Sequence, residues 1–176
     1  MENEITSHKS TARLAGLLYL IWIATGLYGM FYIPSEIALE GDAASAAQNI
    51  LSHEFLFRTS IINDLISSAI WVFMVLVFYR LFKSVNEYVA KLLVALVIVQ
   101  IPIVFIAESF SITSLLILKG EILKTFEPGQ RQELAMLLLK INEYGAPAFE
   151  VYWGLWLLPL AILPYRTHFP PRLLGV

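Results

Sequence analysis

Cysteine is absent from this 176-residue chain, and charged side chains make up only 15% of it. The lack of cysteine excludes disulfides, thiolate metal sites and cysteine-based redox chemistry. Soluble domains carry about 25% charged residues, whereas this chain combines its shortage of charge with 58% hydrophobic residues and a mean hydropathy of +0.70. A soluble fold of this size could not hide that much apolar surface, because small folds bury only about two-thirds of the surface of their chain. The composition therefore indicates a membrane protein.

Other residue types are missing from the apolar runs. The three histidines, His8, His53 and His168, all lie outside them, which argues against haem between helices and against a membrane zinc hydrolase. No lysine lies in the middle of a run, so a retinal Schiff base is not expected. The sequence shows no nucleophile–base pair and no glycine-rich phosphate loop. Its net charge of −2 and the lack of a basic stripe give no indication of nucleic-acid binding. We predict no cofactor and no metal.

Four stretches approach the roughly 20 apolar residues that are needed to span about 30 Å of hydrocarbon. Each is predicted to be helical, because lipid offers no partners for free backbone groups. Basic residues precede the first stretch, as in a signal peptide, but its length of about 20 residues exceeds the 7–15 of a signal sequence. We therefore predict an all-α transmembrane bundle that forms a single domain over residues 1–176, with spans at about 14–33, 57–82, 92–118 and 147–165.

Two connecting segments have the pattern of amphipathic helices on the outer membrane surface. In the first, Asp42 is a plausible N-cap, and Ala46, Ile50 and Leu51 are predicted to share one face. In the second, at about 129–142, apolar side chains recur at helical spacing with charged residues elsewhere on the wheel. Its predicted apolar face consists of Leu134, Leu137, Leu138 and Ile141.

The distribution of lysine and arginine predicts the orientation in the membrane. Basic residues flank the start of the first span, the turn between the second and third spans, and the end of the fourth span; they are Lys9, Arg13, Arg80, Lys83, Lys91, Arg166 and Arg172. The loop after the first span carries acidic residues instead. We therefore expect a multi-pass protein of the cell membrane with both termini in the cytoplasm and both long loops outside.

Ionisable groups inside the predicted spans are the candidates for a functional site, because each costs several kcal/mol at membrane depth unless it is paired or hydrated. Asp64, Glu108 and Glu150 qualify, and all three are predicted to lie in the outer half of the bilayer. Polar residues share their helix faces, which predicts an acid-lined vestibule open to the outside. Arg58 could offset part of the charge by bending towards Asp64. The full set of candidate ligand-binding residues is Asp64, Glu108, Glu150, Arg58, Ser67, Ser111 and Gln100.

Each acid also has a structural interpretation. Glu150 follows Pro147 as a carboxylate in the first turn of a helix, where the helix dipole favours it. Asp64 could bridge Arg58 or neighbouring serines. Glu108 could be a protonated hydrogen-bond donor. Pro102 within the third span predicts a kink.

Several segments together resemble a family of bacterial multi-pass membrane proteins known only as a domain of unknown function, family 4386. The segments are STARLAGLLYLIWIATGLY, GDAASAAQNIL, FLFRTSIINDLIS and WGLWLLPLAILPYRTHFPPRLLGV, in that order. The resemblance covers nearly the whole chain and implies a bacterial inner-membrane location without an activity. In this family a PR-x-LG-like motif usually opens a further pair of helices, whereas this sequence stops at Val176. We expect either a short member or a truncated form.

Three functional hypotheses follow. The first is binding or passage of a small cation, a proton or an amphiphile through the acid-lined vestibule by a non-enzymatic protein. A homo-oligomer is expected in that case, because four short helices enclose little volume, and membrane lipid is the other expected partner. The second is a structural or interaction subunit of a membrane complex. The third, which the sequence favours least, is an intramembrane enzyme that acts on lipid with the carboxylates as acid and base.

Overall fold

A computed structural model describes residues 2–37, 39 and 41–165, with the side chains of 2–8 and 146–150 excepted. The described chain is helical, and no strand occurs in it, in agreement with the predicted all-α class. The helices are α1 (Glu2–Leu27), α2 (Ile33–Glu36), α3 (Ala43–Ser52), α4 (Glu54–Phe82), α5 (Glu87–Ile98), α6 (Ile101–Leu118), α7 (Pro128–Leu155) and α8 (Leu157–Tyr165), and a π-helical turn at Tyr28–Tyr32 joins α1 to α2.

Three helical stretches within the described residues are long and apolar enough to cross a membrane. They are Lys9–Glu36, Glu54–Phe82 and Glu87–Leu118, of 28, 29 and 32 residues. They coincide with the first three predicted spans. The predicted fourth span at 147–165 corresponds only to a shorter apolar helix, Val151–Tyr165.

The first stretch continues past Pro34, where the sequence had predicted its end. The backbone forms the π-helical turn just before the proline, and the amide of Ile33 donates to the carbonyl of Tyr28, five residues back. Proline has no amide hydrogen and would leave a carbonyl of the preceding turn without a donor in a regular helix. A π turn changes the hydrogen-bond pattern at this point, so the chain remains helical as far as Glu36.

The third stretch is interrupted directly before Pro102. α5 ends at Ile98 and α6 begins at Ile101, with a turn at Val99 and Gln100 between them. The amide of Gln100 donates to Val97, three residues back, so the regular ladder is interrupted directly before the proline. The sequence predicted a kink at Pro102, and the structure has a two-residue break in the helix directly before it.

Asp42 caps α3 as predicted, because its carboxylate accepts from the Ser45 amide at 2.8 Å. The hydrogen bonds from the Ser45 side chain and amide also lower the pKa of Asp42 below its ordinary value. Ala46 and Ile50 are buried, whereas Leu51, which was predicted to share their face, is 40% exposed. Ala47 takes that position in the buried face.

The helices divide into two compact units. The first comprises the described parts of residues 1–23, 68–102 and 149–176. Its core contains Trp71, Met74, Leu93 and Leu163, all buried. Helices α5 and α8 pack against each other in this unit. Three indole rings also meet here: the rings of Trp22, Trp71 and Trp156 have centroids 5.4–5.9 Å apart.

The second unit comprises the described parts of residues 24–67 and 103–148. Its apolar core is built from α3, α4, α6 and α7, and its buried members are Ile37, Ala46, Ile50, Phe57, Ile61, Leu115, Met136 and Leu139. This unit contains Asp64 and Glu108 and is the one in which the polar residues collect.

The helix predicted at 129–142 is not a separate element. It is the first half of α7, which continues through Pro147 to Leu155. This half runs antiparallel to α6. The Ser114 hydroxyl donates to the Ala135 carbonyl at 3.0 Å, and Asn142 donates to the carbonyl of Ala107, about two turns earlier in α6. The predicted leucine face does not form the contact, because Leu137 is 54% exposed. The face that packs on α6 contains Ala135, Met136 and Leu139 instead, and leucines that face lipid do not need burial in the protein.

Candidate functional site

The two central acids of the sequence analysis lie side by side in the second unit. α4 carries Asp64 and α6 carries Glu108, and their carboxyl groups are hydrogen-bonded to each other. Glu108 is only 7% exposed. A hydrogen bond between two carboxyl groups needs one proton, because an ionised carboxylate has acceptors only. The pair lies inside two candidate membrane spans, and a shared proton would satisfy both groups.

An asparagine that the sequence analysis missed connects this pair to the end of α1. The Asn63 amide nitrogen donates to Asp64 Oδ1 at 3.0 Å and to the Thr25 carbonyl at 3.1 Å. The backbone is close enough that only glycine fits at position 29 without a shift. A Cβ there would lie 3.1 Å from Asn63 Nδ2 and 3.2 Å from Asp64 Oδ1. Gly29 belongs to the π-helical turn, so this turn lies directly against the acid pair.

Hydroxyl groups on both sides of Asn63 also join α1 to α4. The Thr25 hydroxyl donates to Ser67 Oγ at 3.0 Å. One turn further along, the Tyr28 hydroxyl and Thr59 Oγ1 are hydrogen-bonded, also at 3.0 Å. Ser67 was a predicted site residue, and its partner Thr25 was not recognised. These contacts fix the end of α1 beside Asp64.

On the other side of the pair, Ser111 and Asn142 connect α6 to α7. The Glu108 carboxyl is hydrogen-bonded to Ser111. The Asn142 amide nitrogen donates to Ser111 Oγ at 3.2 Å and lies 3.4 Å from the Ala107 carbonyl oxygen. Ser111 was predicted, whereas Asn142 had been assigned to a surface helix. Hydrogen bonds thus connect the acid pair to the end of α1 and to α7.

Arg58 does not neutralise Asp64 as proposed from the sequence. Its guanidinium lies 2.8 Å from Glu54, four residues earlier on the same helix, and its side chain is 48% exposed. Glu54 also accepts from Lys119 at 3.0 Å, and this hydrogen bond raises the pKa of Lys119. Arg58 prefers Glu54 because an acid four residues away lies on the same helix face, whereas Asp64, six residues away, lies on another face.

Two further predicted residues do not belong to the cluster. Gln100 is buried in the first unit, at the break between α5 and α6, where its amide nitrogen donates to the Leu96 carbonyl. Its Oε1 has no hydrogen-bond partner within the described residues. Glu150 lies in α7, but its side chain is outside the described residues. The cluster that the structure describes therefore contains Asp64, Glu108, Ser67 and Ser111 of the predicted set, and adds Asn63, Thr25 and Asn142.

The two asparagines that were not predicted share a recognisable feature, a side-chain amide within an apolar helix. Asn63 and Asn142 each carry an amide that needs several hydrogen bonds, and an amide left unpaired away from water has a cost of the same kind as a carboxyl. The predicted set was built around charged residues and the polar residues on their helix faces, and neither asparagine was in it. Treating every amide in an apolar helix as a candidate would have identified Asn63, although Asn142 also required the path of α7.

Comparison with known proteins identifies the family but no activity. A family model described as Domain of unknown function (DUF4386) matches residues 14–176. No curated protein and no solved structure matches the chain.

Proposed function

We propose that this chain, which belongs to the DUF4386 family of unknown function, is a multi-pass membrane protein that binds a proton, and in exchange a small cation, at the Asp64–Glu108 pair. One observation carries the proposal: two carboxyl groups are hydrogen-bonded to each other between two candidate membrane-spanning helices. Acids inside a membrane span are costly, and they commonly mark proton or ion pathways.

The chemistry of the exchange follows from the neighbouring groups. One carboxyl proton is shared by Asp64 and Glu108, and a monovalent cation that enters between them would displace it. The products are a cation held by two carboxylates and one released proton, so charge balances. Hydroxyl and carboxyl oxygens are the ligands that hard cations prefer, and Ser111 supplies a hydroxyl beside Glu108. Two acids in direct contact suit one small ion better than an amphiphile.

Proton release tests the exchange directly. Sodium, potassium or lithium chloride is added to the purified full-length protein in weakly buffered detergent, and released protons are counted with a pH indicator. We expect about one proton per chain with at least one of the three cations, and none from Glu108→Gln, which has no acidic proton at this position. Ser109→Ala is the matched control, because Ser109 is adjacent and exposed and bonds only within its own helix. The proposal is wrong if no cation releases a proton, or if Glu108→Gln releases as many as the wild type.

The same cluster supports a second function, a structural or interaction subunit. Its hydroxyls and amides are bonded to one another, as in the Thr25–Ser67 and Asn142–Ser111 pairs. A polar network of this kind fixes one arrangement of helices. A wild-type protein that releases no proton, but that is purified in a fixed complex with a second membrane protein, would favour this function.

We also propose four membrane crossings, with both termini in the cytoplasm of a bacterial cell and a homo-oligomeric assembly. The fourth crossing would be formed by the apolar helix Val151–Tyr165 together with residues that precede it in α7. Single cysteines at Ser84 and Ser45 test the orientation in intact cells with an impermeant thiol reagent. Position 45 should react and position 84 should not; the reverse pattern contradicts the orientation. Mass measurement of the purified protein tests the homo-oligomer.

A further inference from the structure

Two buried polar atoms of the first unit have no hydrogen-bond partner among the described residues. They are Trp71 Nε1, which is a donor, and Gln100 Oε1, which is an acceptor. The two residues are only 4% and 3% exposed, and each lies in a candidate membrane span. An unpaired polar atom is costly in a protein interior, and the surrounding lipid offers no replacement for the lost partner. Both atoms therefore require a ligand that the described residues around them do not supply.

The two atoms belong to one level of an antiparallel helix pair. The short turn 83–86 joins α4 to α5, and both helices contribute to the same hydrophobic core. At 1.5 Å per residue, Trp71 lies about 17 Å before this turn and Gln100 about 20 Å after it. Gln100 also continues the buried face of Leu93 and Val97, which belong to the same core cluster as Trp71. The donor and the acceptor are thus on facing sides of one helix pair.

Neighbouring groups fix the orientation of both side chains. The Gln100 amide nitrogen donates to the Leu96 carbonyl, and a flipped amide would bring two oxygens together there, so Oε1 has to point elsewhere. The Trp71 indole is stacked on Trp22 and lies edge-on to Trp156, with centroids 5.4 and 5.6 Å away. These rings can give Nε1 only a weak N–H···π contact. Neither side chain can turn to find a better partner.

The helix break before Pro102 adds another acceptor at this level. Proline has no amide hydrogen, so Pro102 cannot donate to the carbonyl of Ile98, four residues earlier. Ordered water commonly satisfies the carbonyls that prolines leave free in membrane helices. Gln100 lies within the break itself. One donor and two acceptors therefore belong to this short part of the first unit.

We propose that one water molecule is bound between α4 and the α5–α6 break, where it accepts from Trp71 Nε1 and donates to Gln100 Oε1. The two atoms select the class of ligand. The indole N–H disfavours a cation and the amide oxygen disfavours an anion, so the ligand is a neutral molecule that both accepts and donates. Fully buried aliphatic side chains such as Met74 and Val75 in the same core favour the smallest such molecule.

This water has a structural role that is independent of the acid pair, which lies in the second unit. Buried waters typically make two to four hydrogen bonds to polar groups that would otherwise be unsatisfied. Trp71 and Gln100 provide two, and the carbonyl of Ile98 is the candidate for a third. The water would join α4 to the interrupted helix at the point where the backbone ladder fails.

Nuclear magnetic resonance of the indole protons tests the site. The full-length protein is isotopically labelled at the tryptophan indole nitrogens and studied in detergent micelles, and Trp71→Phe identifies the Trp71 signal. We expect a rotating-frame Overhauser peak between its Hε1 and water, opposite in sign to a peak from hydrogen exchange. Gln100→Met, which removes the acceptor and keeps the length of the side chain, should abolish this peak. Gln48→Met is the matched control, because it makes the same change at an exposed glutamine.

The wild-type spectrum decides the proposal even if a variant fails to fold. A Trp71 Hε1 without an Overhauser peak to water would overturn it, because the indole would then bond directly to Gln100 or to a ring. A peak that persists in Gln100→Met as strongly as in Gln48→Met would also overturn the bridge, since the water would then not depend on the glutamine.

A double-mutant cycle provides a second measurement. Trp71→Phe and Gln100→Met each leave one partner of the water unpaired, whereas the double variant removes both partners together. The melting temperature of the double variant should therefore lie close to that of the less stable single variant. Strictly additive losses would mean that the two side chains share no ligand, and would overturn the proposal.

Discussion

Because the π-helical turn lies close to the acid pair, alanine substitutions at two glycines of the first membrane helix should have opposite effects on stability. Ala at Gly26 meets nothing within 4 Å, whereas Ala at Gly29 places its Cβ 3.1 Å from Asn63 Nδ2 and 3.2 Å from Asp64 Oδ1. These two atoms cannot retreat freely, because they are bonded to each other at 3.0 Å and Asn63 is also bonded to Thr25 at 3.1 Å. Gly29→Ala must therefore lengthen at least one of these hydrogen bonds.

The expected magnitudes separate the two variants. Replacing a helical glycine by alanine gains about 0.5–1 kcal/mol from the lower backbone entropy of the unfolded chain. Gly26→Ala should therefore stabilise the protein by about this amount. Gly29→Ala has the same gain but leaves a buried donor or acceptor poorly paired, at a cost of about 1–3 kcal/mol. Because the gain is common to both variants, the difference between them isolates the cost of the contact.

Unfolding followed by far-ultraviolet circular dichroism in one detergent measures this difference. Gly29→Ala should unfold at a lower temperature or denaturant concentration than the wild type, and Gly26→Ala at a higher one. In the Asn63→Ala background the difference in stability between the two glycine variants should be smaller, since the colliding amide is then absent and Asp64 Oδ1 is no longer held by it. Two glycine variants of equal stability would refute the close packing of the turn on the acid pair.

Three further predictions concern the described side chains. Glu108→Leu should destabilise the protein by about 1.5–3 kcal/mol relative to Glu108→Gln, because only glutamine can still donate to Asp64; equal stability in denaturant titrations would contradict the carboxyl pair. Asn142→Leu and Ser111→Ala should show a coupling of about 0.5–1.5 kcal/mol in a double-mutant cycle, and strict additivity would contradict their hydrogen bond. Asp42→Ala should destabilise α3 at neutral pH; because the pKa of Asp42 is lowered in the fold, this stabilisation should disappear as the pH falls below the ordinary value of 3.8. Asp42→Asn, which caps without titrating, should remove the pH dependence in melting curves, and an unchanged dependence would count against the cap.

Hydrophobicity and local hydrogen bonding made part of the fold predictable. Long apolar runs predict helices at membrane depth, and three of the four proposed spans coincide with such helices. The Asp42 cap was predictable because it depends only on residues three positions apart. Pro102 marked the interruption between α5 and α6 for the same local reason.

Contacts between helices were harder to predict. Leucines at helical spacing in 129–142 indicated a surface helix with its leucine face in the outer interface, whereas this segment is the first half of α7 and packs on α6. Leu137 is exposed, while Ala135 is buried. Small residues let helices approach closely, and Ala135 lies in the contact with α6 together with Met136 and Leu139.

The candidate site was predictable only in part. Helix wheels placed Asp64 and Glu108 on inward faces, and the structure brings them together. A wheel cannot show which partner a long side chain will choose, and Arg58 binds Glu54 rather than Asp64. Nor does it show a contact such as that of Asn63 with Thr25, which joins residues 38 positions apart.

The distribution of tryptophan between the two units gives the protein an internal spectroscopic reporter. All four tryptophans, Trp22, Trp71, Trp153 and Trp156, belong to the first unit, and three of them form the indole cluster. The segments that carry the acid pair have none, but they contain tyrosines such as Tyr28 and Tyr32, whose rings stack with centroids 5.4 Å apart. Tryptophan emission therefore follows the first unit alone, while circular dichroism follows every helix. Coincident transitions would mean that the two units unfold as one, and an early loss of ellipticity at constant tryptophan emission would reveal separate melting of the unit that holds the acids.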